Sequence, residues 1–183
     1  MMKPLSVAMM GLLISGCSGG REEADSHDGQ TAAAETPLQS GLRGSDSRDV
    51  GTVSLIEDAN GVMVRVQAIG LRPGPHAVHL HAVGRCDAPS FETAGPHWNP
   101  GGKQHGRDNP KGAHLGDLAN LDVGDDGRGS SNFIVAGARL HNGQNALLDL
   151  DGAALVIHAR PDDYKTDPSG ASGERIACAL LSG

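Results

Sequence analysis

The sequence predicts an all-β domain, a sandwich or barrel of about eight strands joined by long loops. From residue 38 onward, short apolar or alternating runs are separated by turn residues. No segment keeps apolar residues at helical spacing over three turns. Two connections, 84–115 and 160–173, are long and rich in turn-forming residues. Loops of that length inside a single domain are usually functional.

The individual strands follow from this pattern. Residues 50–56 and 62–68 flank an Asn60-Gly61 turn, and Asn-Gly between two alternating runs indicates a β-hairpin. Alternation returns at 76–83 and again at 130–136, after a turn at 125–128. Two apolar runs, 153–158 and 175–181, predict further strands. Aromatic residues make up only 2% of the chain, so we expect a core built mainly from Val, Leu, Ile and Ala.

The N-terminal residues resemble a bacterial lipoprotein signal. Lys3 supplies a positive charge, residues 5–14 are mostly apolar but too few to span a bilayer, and small residues precede Cys17. An ordinary secretory signal with an unrelated cysteine is the alternative, and both imply export. We expect a signal peptide at 1–16, lipidated Cys17 and a flexible tether at 17–37, and the domain at 38–183.

A lipid anchor would place the domain on the periplasmic side of a bacterial envelope. Ser18, directly after the anchored cysteine, favours the outer membrane by analogy with other lipoproteins. In that oxidising compartment, the even pair Cys86 and Cys178 favours a disulfide. Closing so long a loop contributes about 4–5 kcal/mol in the chain-entropy model. The alternative is that both thiols bind a metal. It is less favoured because the chain also carries enough histidines, described below, to fill a metal site without them.

The charge balance narrows the classes of partner. With 15 basic and 22 acidic residues, the formal net charge is −7. This argues against nonspecific binding to nucleic acid. It does not exclude an anionic substrate, because a local cationic patch can focus field lines against an adverse net charge.

Histidines at ordered spacings are the main functional signal. His79 and His81 lie two apart on a predicted strand, so both imidazoles point to one face. His158 ends another predicted strand and could lie alongside them. Joined by one histidine from a loop, these nitrogens would form an imidazole-rich site that suits Cu(II).

A second group follows in the glycine-rich loop. His105, His114 and Asp117 need one more nitrogen to complete the closed tetrahedral set of structural zinc. Both groups therefore lack one ligand, and only His97 lies between them. A deprotonated His97 could bind one metal through each ring nitrogen and so serve both sites.

Five motifs follow one another along the chain, namely GPHAVHLH at 74–81, GPHWNP at 95–100, HG at 105–106, HLGDL at 114–118 and GERIAC at 173–178. In this order and spacing they resemble those of the copper/zinc superoxide dismutases. The resemblance covers nearly all of the chain from about residue 38. It implies a flattened eight-stranded Greek-key barrel or sandwich with two long functional loops.

The resemblance also implies roles for individual residues. Arg175 matches the arginine that draws superoxide towards copper, and Cys86 and Cys178 match the disulfide within one subunit. Asp162 matches the carboxylate that links a copper histidine to a zinc histidine, although the adjacent Asp163 competes for that match. The implied ligands are His79, His81, His97 and His158 for copper, and His97, His105, His114 and Asp117 for zinc.

The implied activity converts two superoxide anions and two protons into oxygen and hydrogen peroxide by cycling copper, with zinc structural and tuning His97. One alternative is a protein of the same fold that binds or buffers copper and zinc without catalysis. Another is a zinc hydrolase with Asp162 or Glu174 as base, disfavoured because Asp117 would close the zinc site. The sequence leaves open whether the protein is a monomer or a homodimer.

Overall fold

The structure, a computed structural model, describes residues 36–182. The predicted signal peptide, Cys17 and most of the predicted tether lie outside the described residues. Within residues 36–182, no helix is long and apolar enough to cross a membrane. The elements are β1 (Leu38–Gly44), β2 (Asp49–Asp58), β3 (Gly61–Ala68), β4 (Gly74–His76), β5 (Val78–His81), a 3-10 turn (Glu92–Ala94), β6 (Leu121–Val123), β7 (Gly129–Ala136), β8 (Ala153–His158) and β9 (Arg175–Leu181).

The strands form one antiparallel sheet that closes almost completely into a barrel. Their hydrogen-bonding order is β4-β6-β7-β3-β2-β1-β9-β8-β5. β4 and β5 lie at opposite ends of that order, yet only Ala77 separates them along the chain. Residues 74–81 therefore act as one interrupted strand that joins the two ends of the sheet. The prediction of an eight-stranded all-β barrel is confirmed, with the segment expected at 76–83 lying at 74–81.

The β2–β3 hairpin confirms the turn signal. The Asp58 carboxylate accepts hydrogen bonds from the backbone N–H groups of Asn60 and Gly61 at 2.7 and 3.2 Å. Gly61 has a φ of 145°, and a Cβ there would lie 2.2 Å from the carbonyl oxygen of Val135 in β7. Only glycine allows β7 to approach this closely.

The core lies inside the barrel and is mainly aliphatic, as expected. β3 shows the pattern, because Val62, Val64 and Val66 are buried while Arg65 and Gln67 are exposed. This period of two is that of a strand with one face on the core. Each fully buried Val or Leu contributes about 1.5–3 kcal/mol.

A disulfide joins Cys86 to Cys178, with the two Cα atoms 5.7 Å apart. Cys86 lies in the loop after β5, and Cys178 is buried in β9. The predicted disulfide is confirmed, and both sulfurs are thereby removed from the set of metal ligands. The bond ties the loop that carries His97 to the strand that begins at Arg175.

Candidate metal centre

Two neighbouring strands supply three buried histidines. β5 carries His79 and His81 and pairs with β8, which ends at His158. The His158 backbone N–H donates to the Ala77 carbonyl at 2.9 Å, which fixes the end of β8 beside β5. The ring centroid of His158 lies 4.9 Å from that of His79 and 5.9 Å from that of His81.

His97 reaches the same place from the long loop. It forms an isolated β-bridge with His81, and the next backbone N–H, that of Trp98, donates to the Leu80 carbonyl at 2.8 Å. The Gly116 N–H donates in turn to the Trp98 carbonyl at 2.9 Å. A Cβ on Gly116 would lie 2.5 Å from the Leu80 carbonyl oxygen. The loop can therefore pack this closely against β5 only because residue 116 is glycine.

One nitrogen from each of four histidines forms what we call the nitrogen cluster. His79, His81, His97 and His158 offer ligand atoms within 4.8 Å of one another. Among the described residues, four of their ring nitrogens are buried without a hydrogen-bond partner, namely His79 Nδ1 and the Nε2 atoms of His81, His97 and His158. Buried polar atoms nearly always have partners. Four unpartnered imidazole nitrogens in one place fit a copper ion.

Three histidines gather around one carboxylate in what we call the carboxylate cluster. The Nδ1 atoms of His97, His105 and His114 lie 2.9, 3.0 and 3.1 Å from Asp117 Oδ1. In a tetrahedral zinc site with bonds of about 2.0–2.1 Å, neighbouring ligand atoms lie about 3.3 Å apart. Although His105 Nδ1 is close to the carboxylate, its N–H does not point at the oxygen, and the atom stays unpartnered. This arrangement fits zinc.

The carboxylate of Asp162 joins the two clusters from behind. Its Oδ2 lies 3.0 Å from His79 Nε2 and its Oδ1 lies 3.0 Å from His105 Nε2, and both contacts are buried. The neighbouring Asp163 instead accepts hydrogen bonds from the backbone of Lys165 and Thr166. In this fold Asp162, not Asp163, is therefore the linking carboxylate.

Backbone carbonyls orient two further rings. His81 Nδ1 lies 2.9 Å from the Gly95 oxygen, and His158 Nδ1 lies 3.2 Å from the Gly173 oxygen. A partner on one ring nitrogen fixes the orientation of the other nitrogen. His76 differs, because both its nitrogens lie against carbonyl oxygens and neither is left for a metal.

Burial keeps the nitrogen cluster uncharged. It lowers the pKa of His81 to about 2, that of His158 to about 3 and that of His97 to about 4. The charged form of a buried imidazole loses its hydration, which is why these pKa values fall. Lone pairs are therefore available for a metal at neutral pH.

The carboxylate cluster has the opposite tendency. Burial lowers the pKa of His105, but the two carboxylates beside its ring, those of Asp117 and Asp162, outweigh this effect and raise the pKa to about 9. Burial also opposes ionisation of the two carboxyls, yet hydrogen bonds from the histidines hold the pKa of both well below its usual range. Both carboxylates are therefore ionised at neutral pH.

Comparisons with known proteins agree with this geometry. A family model described as copper/zinc superoxide dismutase matches residues 50–181. The protein named superoxide dismutase [Cu-Zn] 2 of Aquifex aeolicus is 41% identical over 142 residues, which cover 76% of this chain and 83% of that protein. The chain belongs to the copper/zinc superoxide dismutase family.

Solved structures of this family share the fold. A superoxide dismutase-like protein from Bacillus subtilis is 39% identical with a TM-score of 0.77, over 79% of this chain and 97% of that one. The copper/zinc superoxide dismutase of Brucella abortus is 25% identical with a TM-score of 0.62, over 80% and 100% of the two chains. Because one of these is named only as dismutase-like, the fold does not by itself separate enzymes from other family members.

A cavity of about 680 Å³ opens onto the nitrogen cluster of this superoxide dismutase family member, and His97, His158 and Arg175 line it. The Arg175 guanidinium donates to the carbonyl oxygens of Phe91 and Gly95 at 2.8 and 2.9 Å. These bonds hold the positive charge at the cavity wall. A small anion in the cavity would lie beside both the histidines and this charge.

Sequence reasoning missed Asn120, which holds Asp162 in place. The Asn120 side chain donates to the Asp162 carbonyl at 3.1 Å and accepts from the Asp162 N–H at 2.8 Å. Its own N–H donates to the Tyr164 hydroxyl at 2.9 Å. Asn120 follows the predicted ligand Asp117 by three residues, but nothing in the local pattern marks it as a contact of residue 162.

Proposed function

We propose that this protein is a superoxide dismutase, which converts two superoxide anions and two protons into oxygen and hydrogen peroxide. The observation that supports this best is the position of His97. Its Nε2 belongs to the nitrogen cluster, and its Nδ1 lies 2.9 Å from Asp117 in the carboxylate cluster. One imidazole can therefore serve two metal ions.

The two clusters supply the two ligand sets. The nitrogen cluster, with His79, His81, His97 and His158, holds copper. The carboxylate cluster, with His97, His105, His114 and Asp117, holds zinc. Bound copper supplies one-electron redox chemistry, and bound zinc supplies a fixed positive charge.

His97 handles the proton that the product needs. Its Nε2 has no hydrogen-bond partner among the described residues, and the residue lines the cavity. This atom can therefore take up a proton and pass it to a bound anion. Asp117 and the carboxylate cluster hold the ring through Nδ1, so its position is kept while Nε2 gains and loses the proton.

Arg175 attracts and orients superoxide. Its guanidinium is anchored by two carbonyl oxygens beside the cavity. Lys103 lines the same cavity and adds a second positive charge, against the single carboxylate of Asp167 in the lining. Such a local cationic patch raises the rate of encounter with a small anion despite the net negative charge of the chain.

Two rival functions fit the structure less well. A metal buffer needs ligands but has no use for an anchored arginine in the cavity beside them. A hydrolase with Asp162 as base fails because both carboxylate oxygens already contact imidazoles. Glu174 lines a separate cavity from the one that contains His97 and His158.

Metal analysis combined with an activity assay tests the function. We expect purified protein to bind one copper and one zinc per chain and to remove superoxide until a chelator strips the copper. A fully loaded protein that does not consume superoxide would support the metal-buffer alternative. Loss of copper but not of zinc on His81→Ala would support the division into two sites.

The location follows from the N-terminal sequence. We propose that Cys17 carries a lipid that tethers the domain to a membrane, more specifically the outer membrane, on the periplasmic side. Mass spectrometry of the N-terminal peptide from membrane fractions tests this, and Cys17→Ala is expected to release the protein.

A homodimer is the alternative to a monomer, and sedimentation of the lipid-free protein distinguishes them.

A further inference from the structure

Ser172 lies behind the nitrogen cluster, against His158. Its side chain is fully buried, and its Oγ lies 3.1 Å from His158 Nδ1. The Gly173 carbonyl oxygen lies 3.2 Å from the same nitrogen. The ring nitrogen that faces away from the cluster therefore has two oxygen neighbours at nearly equal distances.

The backbone fixes this hydroxyl in place. The Ser172 N–H donates to the Ser169 carbonyl at 3.3 Å, and the Ser172 carbonyl accepts from the Arg160 N–H at 2.9 Å. A buried hydroxyl normally has a hydrogen-bond partner. Here the structure supplies His158, so the contact is a built feature of the loop.

The direction of the hydrogen bond follows from the chemistry of imidazole. A neutral ring carries one hydrogen, on either Nδ1 or Nε2. If His158 Nε2 binds a metal, the hydrogen is on Nδ1, which donates to Ser172 Oγ and the Gly173 carbonyl together. A hydroxyl that donated to Nδ1 instead would place the hydrogen on Nε2, inside the cluster, and exclude the metal.

We propose that Ser172 is a positioning residue that orients His158 and strengthens its Nε2 as a copper ligand. An acceptor on the outer N–H raises the basicity of the nitrogen that binds metal. A more basic nitrogen favours Cu(II) over Cu(I), so the hydroxyl lowers the reduction potential of the site. This inference rests on the proposed function, because it requires His158 to hold copper.

A redox titration of Ser172→Ala tests the proposal. Alanine keeps Cβ and both backbone hydrogen bonds but removes the hydroxyl. We expect the midpoint potential, followed by the Cu(II) electron paramagnetic resonance signal, to move to a more positive value while copper and zinc per chain stay unchanged. Ser130→Ala removes an exposed hydroxyl on β7 and is expected to leave the potential unchanged. An unchanged potential in fully loaded Ser172→Ala would overturn the proposal.

A second measurement needs neither copper nor activity. In protein whose nitrogen and carboxylate clusters are both loaded with diamagnetic zinc, His158 Nε2 binds a metal and the ring hydrogen is on Nδ1, where proton NMR detects it. Loss of one acceptor in Ser172→Ala is expected to move this resonance upfield and to speed its exchange with water. Ser172→Thr keeps a hydroxyl and is expected to retain the wild-type position. A resonance that does not move in Ser172→Ala, or moves equally in both variants, contradicts the proposal.

Failure of this inference is distinguishable from failure of the proposed function. If His158 does not hold copper, the His158→Ala variant still binds copper. The Cu(II) electron paramagnetic resonance signal of the wild-type protein then shows no contribution from the His158 nitrogen. If only the role of Ser172 is wrong, the wild-type protein binds copper through four imidazoles and Ser172→Ala has the same potential.

Discussion

The nitrogen cluster and the carboxylate cluster share His97 but are built differently. In the nitrogen cluster, His79, His81 and His158 lie on β5 and β8, whose pairing sets their spacing. In the carboxylate cluster, His105, His114 and Asp117 belong to a loop between β5 and β6. The two histidines lie against one oxygen atom of Asp117, its Oδ1. Sheet hydrogen bonds position the strand histidines of the first cluster. In the second cluster, Asp117 is bridged to β5, whereas His105 and His114 lie on the loop without such pairing.

The electrostatics of the two clusters differ in the same way. Burial keeps His81, His97 and His158 neutral, so their nitrogens are ready for a metal. In the carboxylate cluster, the carboxylates of Asp117 and Asp162 raise the pKa of His105 to about 9. Without a metal, His105 is therefore protonated at neutral pH and supplies the positive charge that balances these carboxylates. The nitrogen cluster is therefore preformed, while the carboxylate cluster needs a positive charge to hold it together.

Removing the central carboxylate should have the largest effect and separate the two clusters. In Asp117→Ala, three imidazoles lose the oxygen they surround, and two backbone N–H groups lose their acceptor. We expect zinc affinity, measured by competition with a chelator, to fall by more than about 100-fold, the upper end for loss of an outer partner. Copper should still bind the strand histidines.

Asp122→Ala is the matched control for that variant, because Asp122 is exposed on β6. It is expected to keep both metals. Equal loss of copper and zinc from Asp117→Ala would show that the nitrogen cluster does not form independently of the loop.

Replacing the linking carboxylate should weaken both clusters together. An amide in Asp162→Asn accepts a hydrogen bond from only one of the two rings, His79 and His105, that the carboxylate serves. We expect metal affinity to fall by about 10- to 100-fold. Asp163→Asn is the control, since its carboxylate contacts neither ring. Similar metal affinities for the two variants would contradict the assignment of Asp162.

Loss of the cavity charge should affect turnover without disturbing either cluster. In Arg175→Ala we expect kcat/KM for superoxide to fall by about 10-fold and to depend less on ionic strength. Both metals should remain bound. Arg128→Ala removes the same charge from an exposed turn and serves as the control. If both variants lose rate equally, overall charge rather than Arg175 accounts for attraction of the anion.

The protonation states of the metal-free protein should show the contrast directly. We expect histidine ring resonances to titrate near pH 9 for His105, while His81, His97 and His158 stay neutral at pH 5. The raised pKa of His105 stabilises the fold below its ordinary pKa of about 6.5, and this stability is lost as pH rises through 9. The lowered pKa values of His81, His97 and His158 have the opposite effect on stability. As pH falls below about 6.5, the unfolded chain binds protons at these histidines before the folded protein does, so the fold is destabilised.

Zinc binding at pH 7 should therefore release about one proton, from His105. Calorimetry in buffers of different ionisation enthalpy measures that release. A His105 resonance that titrates near its ordinary value, with no proton released, would remove the proposed difference between the clusters.

The smallest expected effect lies at the edge of the carboxylate cluster. Tyr164→Phe removes the hydroxyl that accepts from the Asn120 N–H but keeps the ring, which has the Arg107 guanidinium 3.7 Å from its centroid. We expect a loss of about 1 kcal/mol in the free energy of unfolding. Thermal unfolding measures this, and the copper content should not change. A fall in copper would place Tyr164 in the nitrogen cluster as well.

Sequence reasoning reached much of the site because its residues carry recognisable spacing. His79 and His81 are two apart on a strand, so the period of a strand places them on one face. Export and the even number of remaining cysteines predict that Cys86 pairs with Cys178, and the structure confirms this disulfide. The signal peptide, Cys17 and the membrane location remain predictions.

The same reasoning did not find residues whose role depends on how loops pack. Asn120 and Ser172 touch their partners through folding of the 160–173 connection onto the barrel. The family resemblance predicts Asp162 rather than the adjacent Asp163, but only the backbone path decides which carboxylate reaches His79. Turn geometry over such connections cannot be computed from residue types, because many backbone paths satisfy the same composition.

The sequence by itself determined the all-β architecture, the two sets of ligand types and the dual position of His97, because strand periodicity and metal chemistry depend on residue type and spacing. Tertiary structure decided which nitrogen of each ring stays unpartnered, which carboxylate links the clusters and which hydroxyl supports His158. Those choices depend on distances of about 3 Å between residues far apart in the chain, which only the packed fold sets.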